Sequence, residues 1–131
     1  MFGIKRLTKN DHSWLESDST SHQAGVNLPL GQFEDMFPEI VGFEDNPRIA
    51  FKIHWHHTSG DLYASTSNEV VWYQSKRELR LLHVGQEAFG PIADTGNLLV
   101  IVRNENILEI FVMPAGSEKV LAIMGLEHRI P

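Results

Sequence analysis

The sequence predicts one mostly-β domain, closed or partly closed into a barrel. Three observations predict it. Residues 48–55 place Ile49, Phe51, Ile53 and Trp55 on one face against Arg48, Lys52 and His54 on the other, the period of a half-buried strand. The apolar runs 98–102 and 107–113 flank Asn104-Glu105-Asn106, a tight-hairpin signal. Helices nowhere alternate regularly with strands, which argues against a doubly wound parallel sheet and for antiparallel closure.

The elements follow in order. Residues 2–7 form a first strand, and residues 8–21, rich in Asn, Asp, Ser and Thr, form a long surface loop. Residues 24–29 resume a strand. Residues 30–37 form a short helix whose Leu30, Phe33 and either Met36 or Phe37 share a face, and Pro38 stops it. Residues 42–47 are a turn-rich connection to the alternating strand 48–55, and residues 57–61 hold a Ser-Gly turn. Residues 62–65 and 69–74 are two strand candidates, the second rich in β-formers. Residues 78–84 make a further strand or extended arm, and 86–96 a loop. The 98–113 hairpin follows, and 120–124 add a last strand or short helix. The total is about seven or eight strands with one or two short helices.

The 131 residues fit one domain spanning 1–131, and a chain this size buries about two-thirds of its unfolded surface. There is no cysteine, so disulfides, thiolate metal sites and a cysteine nucleophile are excluded. No signal-like apolar run opens the chain and no run reaches membrane-span length; no membrane partner is expected. The net charge of −6 counts against bulk nucleic-acid binding. The distribution qualifies this. Of eleven Lys and Arg, three are Lys5, Arg6 and Lys9, and three are Lys76, Arg77 and Arg80.

Those two windows carry the chemistry of a DNA reader. Lys5, Arg6, Lys9, Asn10 and Asp11 lead into a loop ending in His22 and Gln23; Gln74, Lys76, Arg77, Glu78 and Arg80 form the second group. Lys and Arg hold phosphates, Arg also takes guanine edges, Asn and Gln match adenine, and Asp or Glu accepts from cytosine. A solvated charged loop is the competing reading. His54-Trp55-His56-His57 opens another: on a strand His54 and His56 point to one side and, with a carboxylate such as Asp61, could hold a metal in a cupin-like barrel enzyme. A protein-interaction barrel is the third reading. Nuclease chemistry needs an acidic residue followed by an acidic-x-Lys triplet. No strand supplies it, so no catalytic residue, cofactor or metal site is assigned.

The order of short motifs resembles a known family. Ile4-Lys5-Arg6-Leu7, Asn10-Asp11, His22-Gln23-Ala24-Gly25-Val26 and Pro29 resemble the N-terminal effector domain of EcoRII-type restriction endonucleases. Met36-Phe37-Pro38, Asn46-Pro47, Trp72-Tyr73, the basic 76–80 segment, Gly85 and Thr95-Gly96 continue the similarity over about residues 2–113. The resemblance implies a DNA-binding pseudobarrel with two arms in the major groove, binding a short CC…GG-type site and activating a separate C-terminal nuclease domain. It implies a prokaryotic cytoplasmic setting. It places the first arm on Lys5 through Gln23, with His22 matched directly, and the second on Lys76, Glu78 and Arg80. Asn27 stands where the family has an aromatic residue involved with DNA. The first-arm loop is longer and more acidic than the family's, through Glu16 and Asp18, and the second arm is shorter with fewer basic residues. The expected geometry projects the two basic groups from opposite rims of one barrel, far enough apart to straddle a double helix.

Overall fold

The computed structural model describes residues 2–8, 25–82, 96–123 and 125. In chain order they form β1 (Phe2–Arg6), β2 (Gly25–Leu28), α1 (Leu30–Phe33) running into a 3-10 turn (Glu34–Met36), β3 (Arg48–His56), β4 (Leu62–Tyr73), β5 (Glu78–Leu82), β6 (Leu98–Asn104), β7 (Ile107–Met113) and α2 (Glu118–Ile123). The strands make one sheet in the order β1-β6-β7-β3-β4-β5-β2. All neighbours are antiparallel except β3 and β7, which run parallel. That parallel pair departs from the antiparallel expectation. β6 and β7 form an antiparallel hairpin, and β7 of that hairpin runs along β3 in the same direction.

The sheet curls until it is nearly closed. Leu7 at one end of the strand order and Val26 and Leu28 at the other lie in the same core, with Phe51, Ile53, Trp55, Trp72, Leu81, Ile101 and Ile110 between them. Alternation delivers these side chains: every second residue of a strand faces one side, so the Phe51, Ile53 and Trp55 register is inward while Lys52, His54 and His56 face out. This is the mostly-β pseudobarrel that the sequence predicts.

Helix α1 bridges the seam between the edge strands. It follows β2 directly and reaches β1, where the Gln32 side-chain oxygen accepts the Ile4 backbone N–H at 3.3 Å. Phe33 is fully buried against Gly3, and a Cβ at Gly3 would lie 2.5 Å from the Phe33 ring. The predicted 30–37 helix is therefore shorter and tightens into a 3-10 turn; Phe33 is buried with both Met36 and Phe37, rather than one of them, and Leu30 packs half-buried against the same core. At this end Arg103 seals the core. Its guanidinium donates to the Met36 carbonyl at 2.7 Å, pairs with both Glu39 oxygens, and lies over Phe51 with its carbon 5.0 Å from the ring centroid. The Arg103 hydrogen bonds hold the Glu39 carboxyl below the usual carboxylate range.

One predicted break does not occur. Residues 62–65 and 69–73 belong to a single strand, β4, and Gln74 begins the turn after it. The polar stretch between them is accommodated by a relay on the core side. The Trp55 Nε1–H donates to Thr66 Oγ1 at 2.9 Å, Thr66 donates to Asn68 Oδ1 at 2.6 Å, and Asn68 Nδ2 donates to the Leu82 carbonyl at 2.9 Å. Buried polar groups persist in a core only when partnered, and here they serve a purpose: where β5 ends, Asn68 takes over its last carbonyl. Of segment 120–124, which the sequence reads as a strand or a short helix, residues 120–123 lie in α2 and residue 124 lies outside the described residues. Leu121 of α2 packs on Ile4, Leu98 and Met113, a second small core on the outer face of the barrel.

Candidate functional site

The strand directions sort the connections between two ends of the barrel. β1 and β5 finish, and β2 and β6 begin, at one end: Arg6 pairs with Leu98 and Gly25 with Leu82. The two long connections, residues 7–24 and 83–97, therefore leave from this same rim. Their roots are built from described residues. Leu7 N–H donates to the Asn97 carbonyl at 2.8 Å, and Gly96 N–H donates to the Leu7 carbonyl at 2.9 Å, so the first connection starts beside the point where the second ends. Gly96 has φ +94, a conformation that suits glycine. The buried Asn97 side chain accepts the Ala115 N–H at 3.0 Å. On the far side of the rim, Asn68 holds Leu82.

Arg6 closes the cluster. It faces outward on β1, and its Nη1 donates to the Gly96 carbonyl at 3.3 Å and to Glu118 Oε1 of α2 at 3.0 Å. Both side chains are a little over one-third exposed. The carboxyl's own backbone N–H, then the Arg6 guanidinium, hold Glu118 below the usual carboxylate range. Lys5 has the opposite orientation: it shares the core-facing side of β1 with Gly3 and Leu7 and is only 5% exposed, so it does not present its charge at the surface. Lys9, Asn10, Asp11, His22 and Gln23 lie outside the described residues.

The second basic group is not brought to this rim. Gln74 to Arg77 form the β4–β5 turn at the opposite end, separated from the rim by β5, whose five residues span about 13 Å. The Arg77 guanidinium carbon lies 5.5 Å from the Trp72 ring centroid, and Trp72 Nε1–H donates to Gln74 Oε1 at 2.6 Å. Arg77 thus covers Trp72 at that end of the core. Lys76 is exposed in the same turn. Arg80 is on the outer face of β5, its Nε 3.2 Å from Glu78 Oε2. Its partner across the ladder is Asn27, which puts Asn27 and Arg80 together, two residues below the rim.

A third cluster lies on the outer face of β3 and β7. His54 Nδ1 is 2.9 Å from Glu109 Oε1, and His56 Nε2 contacts Glu109 Oε2. The His56 ring also stacks on Phe111 at 4.6 Å between centroids. Burial raises the Glu109 carboxyl, but the hydrogen bonds from His56 and His54 outweigh it and leave the group lowered overall. The two histidines share a side, as the alternation requires, but their carboxylate is Glu109, while Asp61 bonds Ser59 in the turn. They face away from the barrel interior, where a cupin-like site would place them. Among the described residues, no group of three or more His, Asp or Glu is arranged to hold a metal ion.

Sequence reasoning missed Asn97, Glu118 and Glu109. Glu109 was visible as the one acid in the apolar 107–113 run. Asn97 and Glu118 gave no comparable signal, because their partners are distant in sequence.

The profile of the family described as "Restriction endonuclease EcoRII, N-terminal" matches residues 1–127, nearly the whole chain. The chain belongs to this EcoRII N-terminal family. The pseudobarrel agrees with the membership, and no curated protein matches the chain. Among the described residues no helix is long and apolar enough to cross a membrane.

Proposed function

We propose that this EcoRII N-terminal domain binds double-stranded DNA sequence-specifically and serves as the effector part of a restriction endonuclease, with the nuclease chemistry on a separate domain. Membership in the family over residues 1–127 carries this reading. The topology supports it: two long connections rooted side by side at one rim can act as a pair of arms on one duplex. In this reading Lys9, Asn10, Asp11, His22 and Gln23 belong to the first arm. The 83–97 connection supplies the second in place of Lys76 and Arg77, which lie at the other end. Asn27 and Arg80, on the outer face two residues below the rim, extend the contact surface, with Glu78 bonded to Arg80 from the start of β5. The two arms enter the major groove of a short CC…GG-type site.

The chain's net charge of −6 shapes the expected binding. Few phosphate contacts mean weak non-specific affinity, so base-edge contacts must supply much of the discrimination. A mobility-shift panel of duplexes that carry or lack CC…GG sites tests the proposal. Retardation of the site-bearing duplexes alone is expected. Equal behaviour of all duplexes at low salt would overturn it.

A further inference from the structure

We propose that Arg6, Asn97 and Glu118 form a positioning cluster that sets the two arm roots relative to each other, and that Arg6 acts through it rather than by touching DNA. The proposal rests on the DNA-binding reading above and adds residues to it. Three separate stretches of chain meet at this point: the end of β1, the start of β6 and the approach to α2. Arg6 spans them, donating from β1 both to the Gly96 carbonyl and to Glu118. Asn97 does the same from the other side: its carbonyl accepts from Leu7 and its side chain from Ala115. Leu121 fixes α2 to the sheet beneath them. Nη1 of this guanidinium is directed at two protein acceptors. A small displacement of the cluster would move the start of the first arm and the end of the second, and misplacement of about 1 Å is enough to degrade aligned contacts.

The two roles of Arg6 predict opposite signs for Glu118→Gln. If Arg6 is a phosphate contact restrained by Glu118, releasing it tightens DNA binding, and loss of an acid favours an anionic ligand in any case. If the ion pair positions the arms, Glu118→Gln weakens binding despite the charge change. The experiment measures equilibrium binding of the 131-residue chain to a site-bearing duplex at several salt concentrations, for parent, Arg6→Gln, Glu118→Gln and the double variant. Each single variant is expected to bind about two- to fivefold more weakly, the range for a partly exposed ion pair. The double variant should be no weaker than the poorer single, and the salt slope should stay at the parent's value. A tighter Glu118→Gln, unchanged affinity in both singles, or an Arg6→Gln slope reduced by about 0.9, the loss of one phosphate contact, overturns the positioning role.

Amide exchange without DNA keeps the two readings separable. The Leu7, Gly96 and Ala115 amides should exchange faster in Glu118→Gln. Unchanged exchange alongside normal DNA binding by the parent overturns the cluster alone. A parent that binds no duplex sequence-dependently overturns the DNA reading itself.

Discussion

Alanine at Gly3 would strike the seam of the barrel. An added Cβ would sit 2.5, 2.8 and 2.9 Å from three carbons of the Phe33 ring, where ordinary carbon contacts lie at about 3.5–4.0 Å. The ring must retreat by about 1 Å, and it is fully buried with the core behind it. Overpacking of this kind costs about 1–3 kcal/mol, while the lost freedom of the unfolded chain returns about 0.4–1 kcal/mol. The net destabilisation is about 1–2 kcal/mol, or a Tm lower by roughly 3–10 °C for a domain of this size. Thermal and urea denaturation followed by circular dichroism would measure it. Phe33→Leu makes room at the same point, so the cost of Gly3→Ala should fall by at least about 0.5 kcal/mol in that background. A Gly3→Ala chain as stable as the parent, or a penalty indifferent to Phe33→Leu, would refute closure of β1 by α1.

Other perturbations give independent checks. Arg103→Met keeps the apolar stem over Phe37 and Phe51 but leaves the Met36 carbonyl and Glu39 without their donor, so urea denaturation should show a loss of about 1–2 kcal/mol. Burial pushes the Tyr63 phenol up from 10.0 to about 12. Ultraviolet titration of a Tyr73→Phe chain should place its ionisation there. The stability contributed by the neutral phenol is full below about pH 10 and drains away as the pH rises towards 12, because the unfolded chain ionises first. In DNA binding, Arg80→Ala should cost about 1–3 kcal/mol and relax specificity, whereas Lys9→Ala should weaken all sequences alike and lower the salt slope by about 1. Parent-like binding by both would refute the assignment of contacts.

Much of the barrel was legible because burial imposes a period on the chain. β3 announced itself by Phe51, Ile53 and Trp55, and the β6–β7 hairpin by two apolar runs around Asn104, Glu105 and Asn106. What failed to show was long-range and polar. The 66–68 stretch reads as a gap between strands until Trp55 and Leu82 are seen to partner Thr66 and Asn68. The parallel β3–β7 contact has no local signature, since register between distant strands is set by the whole sheet. At the candidate site, composition flagged two basic windows but could not orient them. Lys5 turned inward because it falls in phase with Gly3 and Leu7. Arg77 is spent covering Trp72. The end of the barrel from which each window projects follows from strand direction, which single-sequence patterns do not encode.

Selection from a pool of random duplexes, with the parent chain as the bait, reports sequence recognition without presupposing the site. A sequence-specific domain should enrich one short CC…GG-type motif, with the chosen duplexes protected from chemical modification in the major groove. Enrichment of no motif, with every duplex recovered in proportion to its input, would contradict sequence-specific recognition.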